Sequence, residues 1–185
     1  MARSSVTGLR ASSRSARPLV LAMAIWMWPV GSAPAANLPD WISAREQARL
    51  LVVTLDAGVG DENGGLNYNR LFEGSRRIVV PVGWTVIVRM RNADARVPHS
   101  TLVTRVYRQE EMPDRLGPND AAFPGASTPV PFTGTAGGGY GEFAFSANKA
   151  GHYFLACGVH THLQAGMWLR LDVVENISQP DFRTD

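Results

Sequence analysis

The chain has 185 residues, a formal charge of +2, 18% charged and 45% hydrophobic residues, and a single cysteine. That length suits one domain, and one cysteine excludes an internal disulfide. The positive charge belongs to one end only: four arginines (Arg3, Arg10, Arg14, Arg17) and no acid lie in the first 35 residues, and without them the net charge is −2. The remainder carries no basic footprint of the kind nucleic-acid binding requires.

Residues 1–36 read as a secretory signal peptide. A basic start is followed by the uncharged run PLVLAMAIWMWPV (18–30) and the small-residue exit GSAPAA. The apolar run is shorter than the roughly 20 residues a spanning helix needs. It contains no Arg-Arg pair and no cysteine near the exit, so neither twin-arginine export nor a lipoprotein anchor is indicated. Residues 37–48 are expected to form a short helical lead within NLPDWISAREQAR, with Asp40 as cap and Trp41, Ile42 and Ala48 facing inward.

A strand-rich domain is expected over 49–175, followed by a C-terminal tail at 176–185. Candidate strands are 50–57, 66–72, 76–81, 84–91, 99–106, 141–147, 151–157 and 167–174. WTVIVRMR shows the clearest alternation, with Trp84, Val86, Val88 and Met90 on one face and Thr85, Arg89 and Arg91 on the other. Seven to eight short strands separated by Gly, Pro and Asn turns indicate an all-β sandwich or barrel. The Gly-rich GVGDENGG (58–65) lacks the ligand order of an EF-hand, so Asp61, Glu62 and Asn63 read as a turn. Residues 107–140, rich in Pro, Gly and Thr, form a long loop insertion expected to wrap one end of the sandwich. Glu110 and Glu111, on that loop, read as solvated.

The chemistry concentrates in CGVHTHLQAGM (157–167), which holds the cysteine, His160, His162 and Met167. Tyr153, Leu155 and Cys157 are in phase on one strand. Met167, Leu169, Leu171 and Val173 are in phase on the next, with Trp168, Arg170 and Asp172 on the opposite face. Cys157 and Met167 therefore face the core at the same end of two neighbouring strands. A histidine of the connecting loop completes three donors, and His99, opening its own strand, supplies a fourth. His152 is out of phase and reads as solvent-facing. One thiolate, two imidazoles and a weak thioether are the donor set of a mononuclear blue-copper site, and they leave no open position for a substrate. A structural zinc site favours two or more cysteines.

The spacing Cys157-x4-His162-x4-Met167 resembles the ligand loop of cupredoxins, most closely the sulfocyanin- and rusticyanin-like group. VPHS (97–100), AFPGA (122–126) and AGHYFLACGVHTHLQAGMWLRLDVV (150–174) resemble further segments of that group. The resemblance covers roughly residues 49–175. It implies a Greek-key β-sandwich and one type 1 copper ion held by His99, Cys157, His162 and Met167. His160 is the alternative loop histidine, or a neighbour that tunes the site. Ser100 is expected to hydrogen-bond the backbone or sulfur near Cys157.

The resemblance also implies an electron carrier, not an enzyme. It would act outside the cytoplasmic membrane with redox partners such as a c-type cytochrome, an oxidase or another membrane electron-transfer complex, touching the membrane only transiently unless the N-terminal segment is kept as an anchor. The exit route is expected at the edge of His162, ringed by Leu163, Ala165, Phe123 and Pro124. Four histidines are too few for the trinuclear cluster of a multicopper oxidase, and one cysteine is too few for a binuclear purple site. A copper delivery or resistance protein is the alternative function. It is disfavoured because Met90 and Met112 form no exposed methionine cluster.

Overall fold

The computed structural model describes Met1 and residues 38–184. The segment read as a signal peptide therefore lies, Met1 aside, outside the described residues. Nine strands follow in chain order: β1 (Ile42–Arg45), β2 (Leu50–Ala57), β3 (Arg77–Pro81), β4 (Trp84–Asn92), β5 (Leu102–Arg105), β6 (Tyr140–Ala147), β7 (Gly151–Ala156), β8 (Trp168–Val174) and β9 (Asp181–Arg183). They form two sheets, ordered β1-β2-β4-β6 and β5-β7-β8-β3-β9. From β2 to β7 the chain changes sheet at every connection, so, the β1–β2 and β7–β8 pairs apart, neighbours in each sheet are not consecutive in the chain. The result is an all-β Greek-key sandwich.

Period-two burial explains the packing. In β4, Trp84, Val86, Val88 and Met90 are buried while Thr85, Arg89 and Arg91 are exposed. Facing them across the core are Ile78 and Val80 of β3, Tyr153 and Leu155 of β7, and Leu169, Leu171 and Val173 of β8. The second sheet is apolar on its outer side too. There Leu102, Phe154, Ala156 and Leu163 pack with Tyr107, Met112 and Leu116 of the long loop.

That loop does more than wrap an end. Its first part covers the outer face of the second sheet, and Phe123 and Ala126 enter the main core. It also runs beside the edge strand β5, with Ala122 N donating to Val103 O at 2.8 Å and Val103 N donating to Ala126 O at 2.9 Å. An edge strand covered in this way has fewer open backbone groups to pair with another chain.

Three expected elements differ. The helix expected within 37–48 is instead strand β1 and a 3-10 turn at Glu46–Ala48. Ile42 pairs with Val53 and Arg45 with Leu50, and Arg49 takes a left-handed φ of 47° that closes the hairpin. The open edge of β2 satisfies four residues' backbone groups and buries Ile42, which outweighs the weak helical pattern. Residues 66–72 do not form a strand: Asn69 and Arg70 have φ of 51° and 67°, and only isolated bridges, Ala57 with Tyr68 and Tyr68 with Leu71, form there. The tail expected at 176–185 contributes β9, antiparallel to β3. Asp61, Glu62 and Asn63 do lie in a turn, and Glu62 pairs with Arg70 at 2.6 Å.

Candidate metal centre

The site forms where β7 ends and β8 begins. The strand pairing runs to Ala156 opposite Trp168. One step further, Cys157 N donates to Met167 O at 3.0 Å, which sets these two residues side by side. Between them the chain folds into consecutive turns: His162 N donates to Val159 O at 3.1 Å, Ala165 N to Thr161 O at 2.9 Å, and Met167 N to His162 O at 2.9 Å. His162 is thereby tied through its own carbonyl to the methionine. Thr161 and Gly166 take positive φ, 64° and 88°, to make the reversals.

His99 arrives from the β4–β5 connection. Its N–H and C=O are both bonded to Thr135 of the long loop, at 3.1 and 2.6 Å. Cys157, His99 and Met167 are fully buried, and His162 is 8% exposed. The Sγ of Cys157 lies 3.3 Å from Nδ1 of His162. One ligand atom from each of His99, Cys157 and His162 falls within 4.8 Å of the others.

Ser100 sits between the loops that carry His99 and Cys157. Its N–H donates to Cys157 Sγ at 3.4 Å, and its Oγ lies 3.6 Å from the same sulfur. That Oγ also accepts from Gly158 N at 2.9 Å. His160 points away: its side chain is 59% exposed and pairs with Asp114 at 3.2 Å. His152 is also outside the cluster, 75% exposed in its side chain and bonded to Asp172 at 2.8 Å.

Burial sets the electrostatics. It pushes the imidazole of His99 down to about 4, with the nearby His162 adding to the effect and Asp94 opposing it. His162 is lowered for the same first reason, then by His160. Burial pushes the Cys157 thiol up, against the hydrogen bonds from Ser100, Val159 and Tyr68. Both imidazoles are thus held neutral, the form that binds metals.

Both ring nitrogens of His99 are buried and have no hydrogen-bond partner among the described residues. An imidazole shut away from water with neither nitrogen satisfied is costly unless something else binds it. A soft sulfur and two imidazoles within 4.8 Å of one another, with Met167 paired to Cys157 through the backbone, fit copper better than zinc or a hard cation.

Several supporting residues carried no sequence signal. Tyr68 is fully buried, and its hydroxyl donates to the Ser100 carbonyl. Asp94 lies in the NADARVP turn and accepts from Arg96 N at 2.7 Å, which holds its carboxyl below the usual range. Its Oδ2 is 3.9 Å from Nε2 of His99. Gly58, at φ 74°, backs the same ring: a methyl there would come within 2.8 Å of Nε2. Two residues expected around the exposed edge of His162 are elsewhere. Phe123 is a core residue stacked on Phe145 at 4.9 Å, and Leu163 is fully buried under the second sheet. Both are too apolar to stay at the surface where a pocket is open to them. Ala165 and Pro124 are exposed.

A two-sheet sandwich with this donor cluster at one end is a cupredoxin. The sulfocyanin (SoxE) domain family matches residues 41–184. The chain belongs to that family, within the sulfocyanin and rusticyanin group of cupredoxins. A sulfocyanin of Sulfolobus acidocaldarius is 31% identical over 121 residues, covering 62% of this chain and 58% of that relative's length. Among solved structures, auracyanin A, a blue copper protein of Chloroflexus aurantiacus, shares 19% identity at a TM-score of 0.49, covering 68% of this chain and 99% of its own. The auracyanin of Roseiflexus castenholzii shares 22% at 0.48, covering 66% and 96%.

Proposed function

We propose that the chain is an exported one-electron carrier whose single type 1 copper ion is held by His99, Cys157, His162 and Met167. The observation that carries this reading is the convergence of Cys157 and His162 on the buried imidazole of His99, whose nitrogens have no hydrogen-bond partner among the described residues. Bound copper supplies the Cu(II)/Cu(I) couple. The protein's part is to hold the donors still and dry. Cys157 and Met167 are locked by strand pairing, His99 by Thr135, and His162 by its turn. Little rearrangement between oxidation states favours fast exchange. The Ser100 N–H directed at Cys157 Sγ draws charge from the sulfur and tunes the potential.

His162 is the ligand nearest to solvent. Beside its turn, the 130–134 turn packs on Gly158 and Val159 and exposes Val130 (45%) and Phe132 (41%). This apolar surface suits the small, short-lived interfaces of redox encounters. A c-type cytochrome, an oxidase or another membrane electron-transfer complex on the outer side of the cytoplasmic membrane is the class of partner it fits.

Protein-film voltammetry of the copper-loaded chain tests the carrier role. The reading expects a reversible one-electron wave that persists over many cycles in the presence of a copper(I) chelator. Loss of the ion to the chelator on first reduction would instead indicate a delivery protein.

A further inference from the structure

On the outer face of the second sheet, away from the ligand cluster, lies a cavity of about 740 Å³. That is within the range of small-molecule sites. Its floor is aromatic: Phe154 and Trp168 stack with centroids 4.1 Å apart and planes at 23°. The indole is fixed from behind, because Gly74 packs so closely that a methyl there would come within 2.2 Å of its Cζ3. Tyr107 and Met112, both nearly buried, line the wall. The Tyr107 hydroxyl is engaged with Thr104 at 3.3 Å, and Gln109 Nε2 donates to the Gln164 carbonyl at 3.2 Å.

One polar lining group is set up to accept. His152 Nδ1 bonds Asp172 Oδ1 at 2.8 Å, and Arg77 donates to the other carboxylate oxygen at 2.8 Å. In the neutral ring this fixes the proton on Nδ1, which leaves Nε2 as the acceptor of this cavity-lining side chain. A rigid aromatic floor beside an oriented acceptor calls for a flat ring bearing a hydroxyl.

We propose that this cavity binds small phenols and hydroquinones. The ring lies against Trp168 and Phe154, and a hydroxyl donates to His152 Nε2. Ala156 and Trp168 are paired across β7 and β8, immediately before Cys157 and after Met167. A molecule bound here therefore lies behind the strand ends that carry Cys157 and Met167.

The test is a nuclear magnetic resonance titration of the full chain loaded with copper(I), which is diamagnetic and which a hydroquinone does not reduce. Methylhydroquinone is the probe and 1,4-dimethoxybenzene the control. The expected result is saturable shifts of the Trp168 indole N–H and the His152 ring. The control, which has no hydroxyl, should bind about fivefold more weakly, the worth of one hydrogen bond. His152→Leu, at an exposed position, should abolish that preference while the chain stays folded. Equal binding of probe and control, or no saturable shift at Trp168, would overturn the proposal, as would contacts from residues preceding 38 filling the cavity. Repeating the titration on the metal-free chain keeps this outcome separate from the copper reading, because the cavity residues include none of the four proposed ligands.

Discussion

Replacing Ser100 by alanine removes one oxygen from a fully buried position between the loops that carry His99 and Cys157. Two interactions go with it: the 2.9 Å bond accepted from Gly158 N and the 3.6 Å contact with Cys157 Sγ. The Ser100 N–H bond to the sulfur remains, since it is made by backbone. Gly158 cannot turn to find another acceptor. Its own carbonyl is held by Leu116 N at 3.0 Å, and the carbonyls of Leu116 and Pro131 fill the space a Cβ would take. A buried donor left unmade costs about 1–3 kcal/mol, so we expect about 2 kcal/mol. For a domain of this size that is a fall in Tm of about 4–8 °C. Denaturant and thermal unfolding of the metal-free chain measure it. The copper-loaded variant should also show a lower reduction potential, because a sulfur with one fewer hydrogen bond donates more strongly and favours Cu(II). A loss under about 0.5 kcal/mol together with an unchanged potential would refute the reasoning, since both effects depend on the same oxygen.

Three further expectations follow from the same geometry. The metal-free chain should lose stability as pH falls from about 6.5 to about 4, because His99 is held near 4 when folded and the unfolded chain binds its proton first. The full effect is about 3 kcal/mol, present above pH 6.5 and gone below pH 4; His99→Gln should flatten the curve in pH-dependent urea unfolding. Gly58→Ala forces a methyl into a left-handed φ and to 2.8 Å from the His99 ring, so both stability and copper affinity, read by competition with a chelator, should fall. Phe132→Asp should leave the visible spectrum unchanged while slowing electron exchange with a cytochrome severalfold in stopped flow, because it charges only the exposed apolar surface.

The sequence made some of this legible and not the rest, for physical reasons. Alternation in 84–91 gives the buried face of β4, because side chains on a strand change side at every residue. The same counting sets Cys157 and Met167 on the core side of adjacent strand ends, and the structure puts them in backbone contact. β1 was hidden because Trp41, Ile42 and Ala48 satisfy a helical spacing, and only the open edge of β2 selects a strand over Ile42–Arg45. β9 has three residues and no apolar alternation, and it exists because β3 offers an edge. Tyr68, Asp94 and Gly58 pack on Ser100 and His99 from segments far from 157–167, and tertiary contacts of that kind leave no local pattern. Phe123 and Leu163 read as surface residues from their place in loops, yet both find apolar pockets.

The central claim rests on Cys157 as a copper thiolate. The most direct measurement is the visible absorption and electron paramagnetic resonance spectrum of the chain with one equivalent of copper(II), beside Cys157→Ser. The account predicts an intense thiolate-to-copper band and a narrow copper hyperfine splitting, both lost in the variant. A pale, widely split spectrum that survives the substitution would place the copper on histidines alone and contradict it.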